Sequence, residues 1–354
     1  MRLTQGEKLK IALARRTLRQ LVSNPTTRKL LARHRGRRAA LIEPELAALL
    51  RLDDLTGDSV FTGCTPEEAR RKLRLSVAVA DAPPPADVSI LPLEIPVEAG
   101  SLAARQYHAR GVPEGAPGVV YLHGGGFVTG DLDTHEGLCA RISAFARVRV
   151  VSVAYRLAPE HPFPAAPEDA VQAFRWVAEH ADSLAMDPKR LVVMGDSAGG
   201  NLSAVVARKT RDDAIPPALQ VLLYPATDLT RTLPSHQTLR EGWFLTRELI
   251  DWFYEHYVAG RRDVDRDPDA SPLHAPDLSR VCSALIYVAG LDPLRDEGLA
   301  YAERLRAAGG AVQVRDFPRL VHGFAMMTAA SPGCADALVR VTRDMAEALS
   351  TLKT

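Results

Sequence analysis

Residues 191–201 read LVVMGDSAGGN, an apolar run that enters Gly195-Asp196-Ser197-Ala198-Gly199 and leaves as a helix-forming segment. A serine hydroxyl is a weak nucleophile until a sharp strand-to-helix turn presents it to a base. Glycines two residues to either side leave room for that turn, and the helix start behind Ser197 offers backbone amides to a developing anion. A second stretch, VVYLHGGGFVTG at 119–130, closes another apolar run with His123-Gly124-Gly125-Gly126. Successive glycines let the backbone aim its N–H groups at a ligand without side-chain obstruction. A phosphate loop would need GxxxxGK[ST], and the sequence has no such run. The pair predicts acyl-transfer chemistry, with Ser197 as nucleophile and the amides of Gly125, Gly126 and Ala198 as an oxyanion hole.

Such a serine needs a base and an orienting acid, in the chain order Ser, Asp or Glu, His. Of ten histidines, His322 in DFPRLVHGF stands just past a β-rich run near the C-terminus. His236 and His274 fall in a polar inserted stretch and are expected to be solvated. His161 and His256 belong to a Pro-rich loop and a helical pattern. ALIYVAGLDPLRDEG puts Asp292 directly after a buried strand, thirty residues before His322. Asp228, after LLYPAT, also ends a strand and is the rival acid. Asp292 is preferred because its strand is nearest in sequence to the histidine. Asp296 is expected to cap the following helix. The mechanism requires a neutral imidazole, so the rate should fall in acid.

The elements that must position these groups alternate. β-rich runs occur at VSILPLEIPV, GVVYLH, VRVVSVAY, LVVMG, LQVLLYP, ALIYVAG and AVQVRDF, and helical patterns at 168–181, 201–210 and 298–309. That alternation predicts an α/β fold, a mostly parallel sheet flanked by helices on both faces. One insertion breaks it: residues 233–262 hold a polar turn and then FLTRELIDWFYEHYVAG, an aromatic-rich helix. DAPPPAD at 81–87 is expected to be a linker.

The 354 residues are 46% hydrophobic and carry 44 Lys+Arg against 43 Asp+Glu. This is globular composition, and no run approaches about 20 apolar residues, which excludes a membrane-spanning helix. Cys64, Cys139, Cys282 and Cys334 are scattered, supporting neither a disulfide framework nor a metal site. The chemistry calls for no cofactor and no metal. The N-terminal stretch lacks an uninterrupted apolar core, so a cytoplasmic location is expected. Charge is uneven: residues 1–40 hold twelve Lys/Arg and one acid, a net +11 that leaves −10 on the rest. A helix with Ile11, Leu13, Leu18, Leu21 and Val22 turned inward is the expectation there. Nucleic acid is not an expected partner, since no aromatic residues are interleaved for base stacking; contact of residues 1–40 with an anionic surface is the weaker alternative.

HGGGF at 123–127, YRLAPEHPFPA at 155–165, GDSAGGN at 195–201, DPLRDEG at 292–298 and HGF at 322–324 occur in this order. Together they resemble the hormone-sensitive-lipase-like family of α/β-hydrolases, the bacterial GDSAG-type esterases above all, over roughly residues 85–350. The resemblance implies an α/β-hydrolase fold with a helical cap and a serine carboxylesterase acting on small-molecule esters of short-to-medium acyl chain. It also implies the triad Ser197, Asp292 and His322, and a scaffold role for YRLAPEHPFPA. The cap would comprise residues 1–75 and 233–268, with the core divided into 76–232 and 269–354. Trp243, Phe244, Leu245, Ile250, Phe253 and Tyr254 would then line the acyl pocket. An amidase or deacetylase on the same triad, or a non-catalytic receptor, are the alternatives. An exposed sheet edge near AVQVRDF allows a homodimer.

Overall fold

The computed structural model describes residues 41–56 and 63–352, together with 11, 13, 14, 16, 17, 20 and 24–27. Helices α1 (Pro44–Thr56) and α2 (Pro66–Ala80) lead into the strands, which among the described residues are β1 (Val88–Val97), β2 (Gly100–Ala109), β3 (Ala116–Leu122), β4 (Arg149–Val153), β5 (Met186–Asp196), β6 (Leu219–Leu223), β7 (Ser283–Leu291) and β8 (Val312–Val321). They form one sheet in the order β1-β2-β4-β3-β5-β6-β7-β8, antiparallel for β1/β2 and β2/β4 and parallel from β4 to β8. β4 and β6 are buried at every position, as strands covered on both faces must be.

Helices α3 (Glu136–Ala146) and α9 (Pro332–Thr351) cover one face, where Leu138, Ile142, Leu338 and Val341 pack on Val119, Val150 and Tyr287. Helices α4 (Ala165–Glu179), α5 (Ala198–Lys209) and α8 (Arg295–Ala307) cover the other, with Phe174, Val177, Leu202 and Tyr301 against Val120, Val151 and Ile286. Between β6 and β7 the chain leaves the sheet through the short helix α6 (Ser235–Thr238) and then α7 (Arg247–Val258). Thr246 caps α7, its hydroxyl accepting from the Leu249 amide. This is the aromatic helix expected there.

β2 was missing from the strand set: its alternation of small and polar residues, GSLAARQYHA, gives little apolar signal, and its pairing with β1 makes it a strand. DAPPPAD is the irregular connection from α2 to β1 expected there, and it is anchored, with Asp81 buried on Arg141 and the Ala82 carbonyl accepting from the same guanidinium at 2.7 Å. Of the N-terminal residues expected to turn inward, Ile11 is buried, and Leu13, although 65% exposed, borders the cavity described below. Leu18, Leu21 and Val22 lie outside the described residues. Among the described residues no helix is long and apolar enough to cross a membrane.

Candidate active site

Strand pairing brings the candidate groups together. Leu122 at the end of β3 pairs with Gly195 near the end of β5, so the glycine turn and the serine turn leave the sheet side by side. Leu291 of β7 pairs with Val321 of β8, so the next residue on each strand, Asp292 and His322, also emerge as neighbours. All four segments stand at the carboxyl end of the parallel strands, where ligands bind in such sheets.

Ser197 has φ 54° and ψ −119°, a sharp turn from β5 into α5 held by its amide on the Leu223 carbonyl at 2.9 Å. A Cβ on Gly199 would fall inside the Leu122 carbonyl, so the close approach of α5 to β3 requires glycine there. The Ser197 hydroxyl lies 2.9 Å from His322 Nε2, and His322 Nδ1 lies 2.8 Å from Asp292 Oδ2. Asp292 is fully buried, and its other oxygen accepts from the Leu294 amide at 2.9 Å. A carboxylate can only accept, which puts the imidazole proton on Nδ1 and leaves Nε2 as an acceptor facing the serine hydroxyl. Asp228, the rival acid, is elsewhere: its oxygens accept from Thr230 and meet His274 Nε2 at 2.9 Å.

Gly125 and Gly126 carry φ of 120° and 60°. The Gly125 carbonyl turns away to accept from the amide and hydroxyl of Thr129, at 2.8 and 2.9 Å. Among the described residues the amides of Gly125, Gly126 and Ala198 have no backbone acceptor, and all three residues line the same cavity as Ser197 and His322. Three contacts brace the turn from the 155–165 segment and its surroundings. The Tyr155 hydroxyl donates to the His123 carbonyl at 2.7 Å, the Ala158 amide to the Phe127 carbonyl at 2.9 Å, and Phe127 stacks on Tyr257 of α7 with centroids 3.8 Å apart.

The cavity encloses about 900 Å³ and is walled largely by α2 and α7. Of the expected lining residues, Phe244, Leu245, Ile250, Phe253 and Tyr254 face it. Trp243 does not: it is 6% exposed and packs in the hydrophobic cluster beneath α3 and α9. Leu73 and Val77 of α2 join the lining, which their sequence did not signal.

Several polar contacts around the site were not foreseen. Arg70 of α2 donates to the carbonyls of Val128 (2.8 Å) and Ala158 (3.0 Å) and pairs with Glu160, tying the helix to the glycine turn. His236 is buried rather than solvated, 2.6 Å from the equally buried Glu297, which also accepts from the amides of Thr227 and Asp228. Burial pushes the Glu297 carboxyl upward against these hydrogen bonds. His274 is likewise paired, with Asp228.

A profile of the α/β-hydrolase fold family matches residues 119–326. The chain is 50% identical to the carboxylic ester hydrolase LipN of Mycobacterium tuberculosis over 248 residues, 68% of this chain and 65% of that protein, just under two thirds of its length. It is 36% identical to the ethyl acetate hydrolase of Pseudomonas putida over 87% of this chain and 99% of that one. Among solved structures, the thermostable carboxylesterase EstE1 from a metagenomic library superposes with a TM-score of 0.77 at 38% identity, over 82% of this chain and 99% of its own. Five ordered motifs, one sheet and these matches agree, and the chain belongs to the α/β-hydrolases, in the hormone-sensitive-lipase-like group of esterases.

Proposed function

We propose that this carboxylic ester hydrolase cleaves short- to medium-chain esters through a Ser197-His322-Asp292 triad and an acyl-enzyme intermediate. The observation that carries the proposal is the unbroken relay of 2.9 and 2.8 Å from the serine hydroxyl through the imidazole to a buried carboxylate. His322 Nε2 takes the Ser197 proton as the oxygen attacks the ester carbonyl, and the Asp292 carboxylate steadies the imidazolium that forms. The new oxyanion sits among the amides of Gly125, Gly126 and Ala198. His322 then gives its proton to the departing alcohol. Water repeats the sequence, releasing the acid and restoring the serine.

The chain-length preference rests on the resemblance to the GDSAG-type esterases and on the cover that α2 and α7 place over the serine. An apolar cavity walled in part by these helices takes the acyl and alcohol parts of the ester, and each methylene that meets apolar wall adds about 0.8 kcal/mol. Residues 1–75 and 233–268 form the cap in this reading; residues 1–10, 28–40 and 57–62 of it lie outside the described residues. The test is hydrolysis of p-nitrophenyl esters from acetate to palmitate by the wild type and Ser197→Ala. Butyrate or hexanoate should turn over fastest, and the variant should lose about 10⁴-fold or more in kcat. A faster palmitate reaction would sink the size argument. Activity surviving in Ser197→Ala would remove the nucleophile.

A further inference from the structure

Directly beneath the glycine turn lies a charged group that the triad does not use. Asp196, the residue before the nucleophile, is 1% exposed. Its Oδ1 accepts from the Gly124 amide at 2.9 Å and the Tyr121 hydroxyl at 2.7 Å. The same oxygen stands 3.2 Å from Nε2 of His135, at the start of α3, an oblique approach within ion-pair distance. His135 is fully buried. A buried carboxylate is costly without a compensating charge.

The hydrogen bonds around Thr134 point to where that charge is. The Thr134 hydroxyl donates its one proton to the Asp131 carbonyl at 2.8 Å, and its oxygen accepts from the Asp131 amide at 2.8 Å. Its remaining contact, 2.9 Å to His135 Nδ1, must then be a hydrogen bond that Nδ1–H donates. With Nδ1 protonated, a neutral ring would turn the bare Nε2 toward a carboxylate oxygen that already accepts two hydrogen bonds. A proton on Nε2 removes that repulsion. The other titratable groups facing Asp196 are Tyr121, Tyr155, Tyr224, Cys139 and His123. Of these only His123 can become a cation. Burial holds it down to about 4, and it is occupied on the Gly124 carbonyl at 2.9 Å.

We propose that His135 is a permanently protonated positioning residue, a buried imidazolium that keeps Asp196 ionised so that Asp196 can hold the Gly124 amide and set the oxyanion turn against the nucleophile. Burial opposes the charge on His135, but the Asp196 carboxylate together with Asp131, the other acid facing it, outweighs burial and the imidazole is pushed up. Asp196 is correspondingly held down, burial again being overcome by His135 and the hydrogen bonds from Tyr121 and Gly124. The consequence for rate rests on the oxyanion assignment above, whereas the protonation state does not.

The test has two arms. Nitrogen-15 NMR of histidine-labelled Ser197→Ala protein reads His135 directly. Both ring nitrogens should show imidazolium shifts across the neutral range and on to about pH 8, where exposed histidines are neutral. A neutral-ring pattern for His135 at pH 7 would overturn the proposal whatever the enzyme hydrolyses. In the second arm, His135→Gln should lower kcat about 10²-fold with KM within about threefold, the cost expected of a slightly misplaced site. It should also add an acid-side loss of kcat toward neutral pH, because Asp196 without its cation is protonated more readily. Adding Asp196→Asn to His135→Gln removes the unpaired charge and should abolish that new pH limb. Unchanged kcat and pH profile in a folded His135→Gln protein would overturn the role. If His135→Gln does not fold, the NMR arm decides alone.

Discussion

Adding a single methyl at Gly126 tests how the helical cover and the oxyanion turn depend on each other. A Cβ at this position would stand 2.6 Å from Phe253 Cδ2 and closer still to Cγ and Cδ1. Ordinary carbon contact begins near 3.5 Å, so ring and turn must separate by about 1 Å or more. The backbone there has φ 60°, which a side chain tolerates at a cost of about 1–2 kcal/mol in stability. If the turn yields, a displacement of this size costs about 10²-fold in kcat, or about 2.7 kcal/mol of barrier. The discriminating comparison is Gly126→Ala alone, Phe253→Ala alone, and the two together, assayed with p-nitrophenyl butyrate and checked by thermal melting. Phe253→Ala removes the obstacle, so the double variant should recover to within about tenfold of Phe253→Ala, a coupling of at least 1.4 kcal/mol. If the double variant is as slow as Gly126→Ala, collision with α7 is not what harms the turn and this reasoning is refuted.

Asp292→Asn should lower kcat by about 10⁴-fold, because an amide no longer fixes the imidazole tautomer; Asp228→Asn should leave kcat within a few-fold, and the reverse result in the same ester assay would exchange the two acids. Arg70→Ala takes the arginine donors from the buried Val128 and Ala158 carbonyls and should cost about 2–4 kcal/mol of unfolding free energy by urea titration. Hydrogen bonding to Arg70 holds the Glu160 carboxyl down at about 2. That pair therefore contributes stability above the unfolded carboxyl range and loses it as pH falls through about 2. Because Glu160 is half exposed, the stability gap between wild type and Arg70→Ala should narrow by no more than about 1 kcal/mol between pH 5 and 2; a gap that widened would contradict the sign. Burial raises the thiols of Cys282 and Cys334 to about 12 and lifts Cys139 further. A disulfide reagent at pH 8 should leave all three unreacted until the chain unfolds.

The residues that were legible in the sequence are those whose role forces a local pattern. A serine on a strand-to-helix turn needs glycine at 195 and 199 whatever surrounds it, and a strand must end just before Asp292 and just before His322 to bring them over the sheet. What was illegible depends on pairing across distance. His236 sits among Pro, Ser and Gln and reads as solvated, yet Glu297, more than fifty residues later, buries it. His135 has no neighbour in sequence that announces Asp196. Trp243 and Phe244 are adjacent and alike in chemistry, but only Phe244 faces the cavity; position along the chain says nothing about which aromatic points where once regular structure is lost. β2 was missed for the opposite reason, since a hairpin partner made a strand from residues of weak propensity.

The helical cover does more than set how much room a substrate has. Arg70 of α2 holds the carbonyls of Val128 and Ala158, and Phe253 and Tyr257 of α7 press on Gly126 and Phe127. From below, Asp196 holds Gly124. The glycine turn, the proposed oxyanion hole, is thus fixed between the sheet and two helices that contribute nothing to the proposed triad. A substitution in these helices should consequently appear in kcat when it touches Arg70, Phe253 or Tyr257. It should appear in KM and chain-length preference when it touches Leu73, Val77 or Ile250, which line the chamber without bracing the turn. A paired alanine scan, Arg70 and Tyr257 against Leu73 and Ile250, separates the two groups. Uniform effects on KM from all four would mean that the cover shapes the cavity and nothing else.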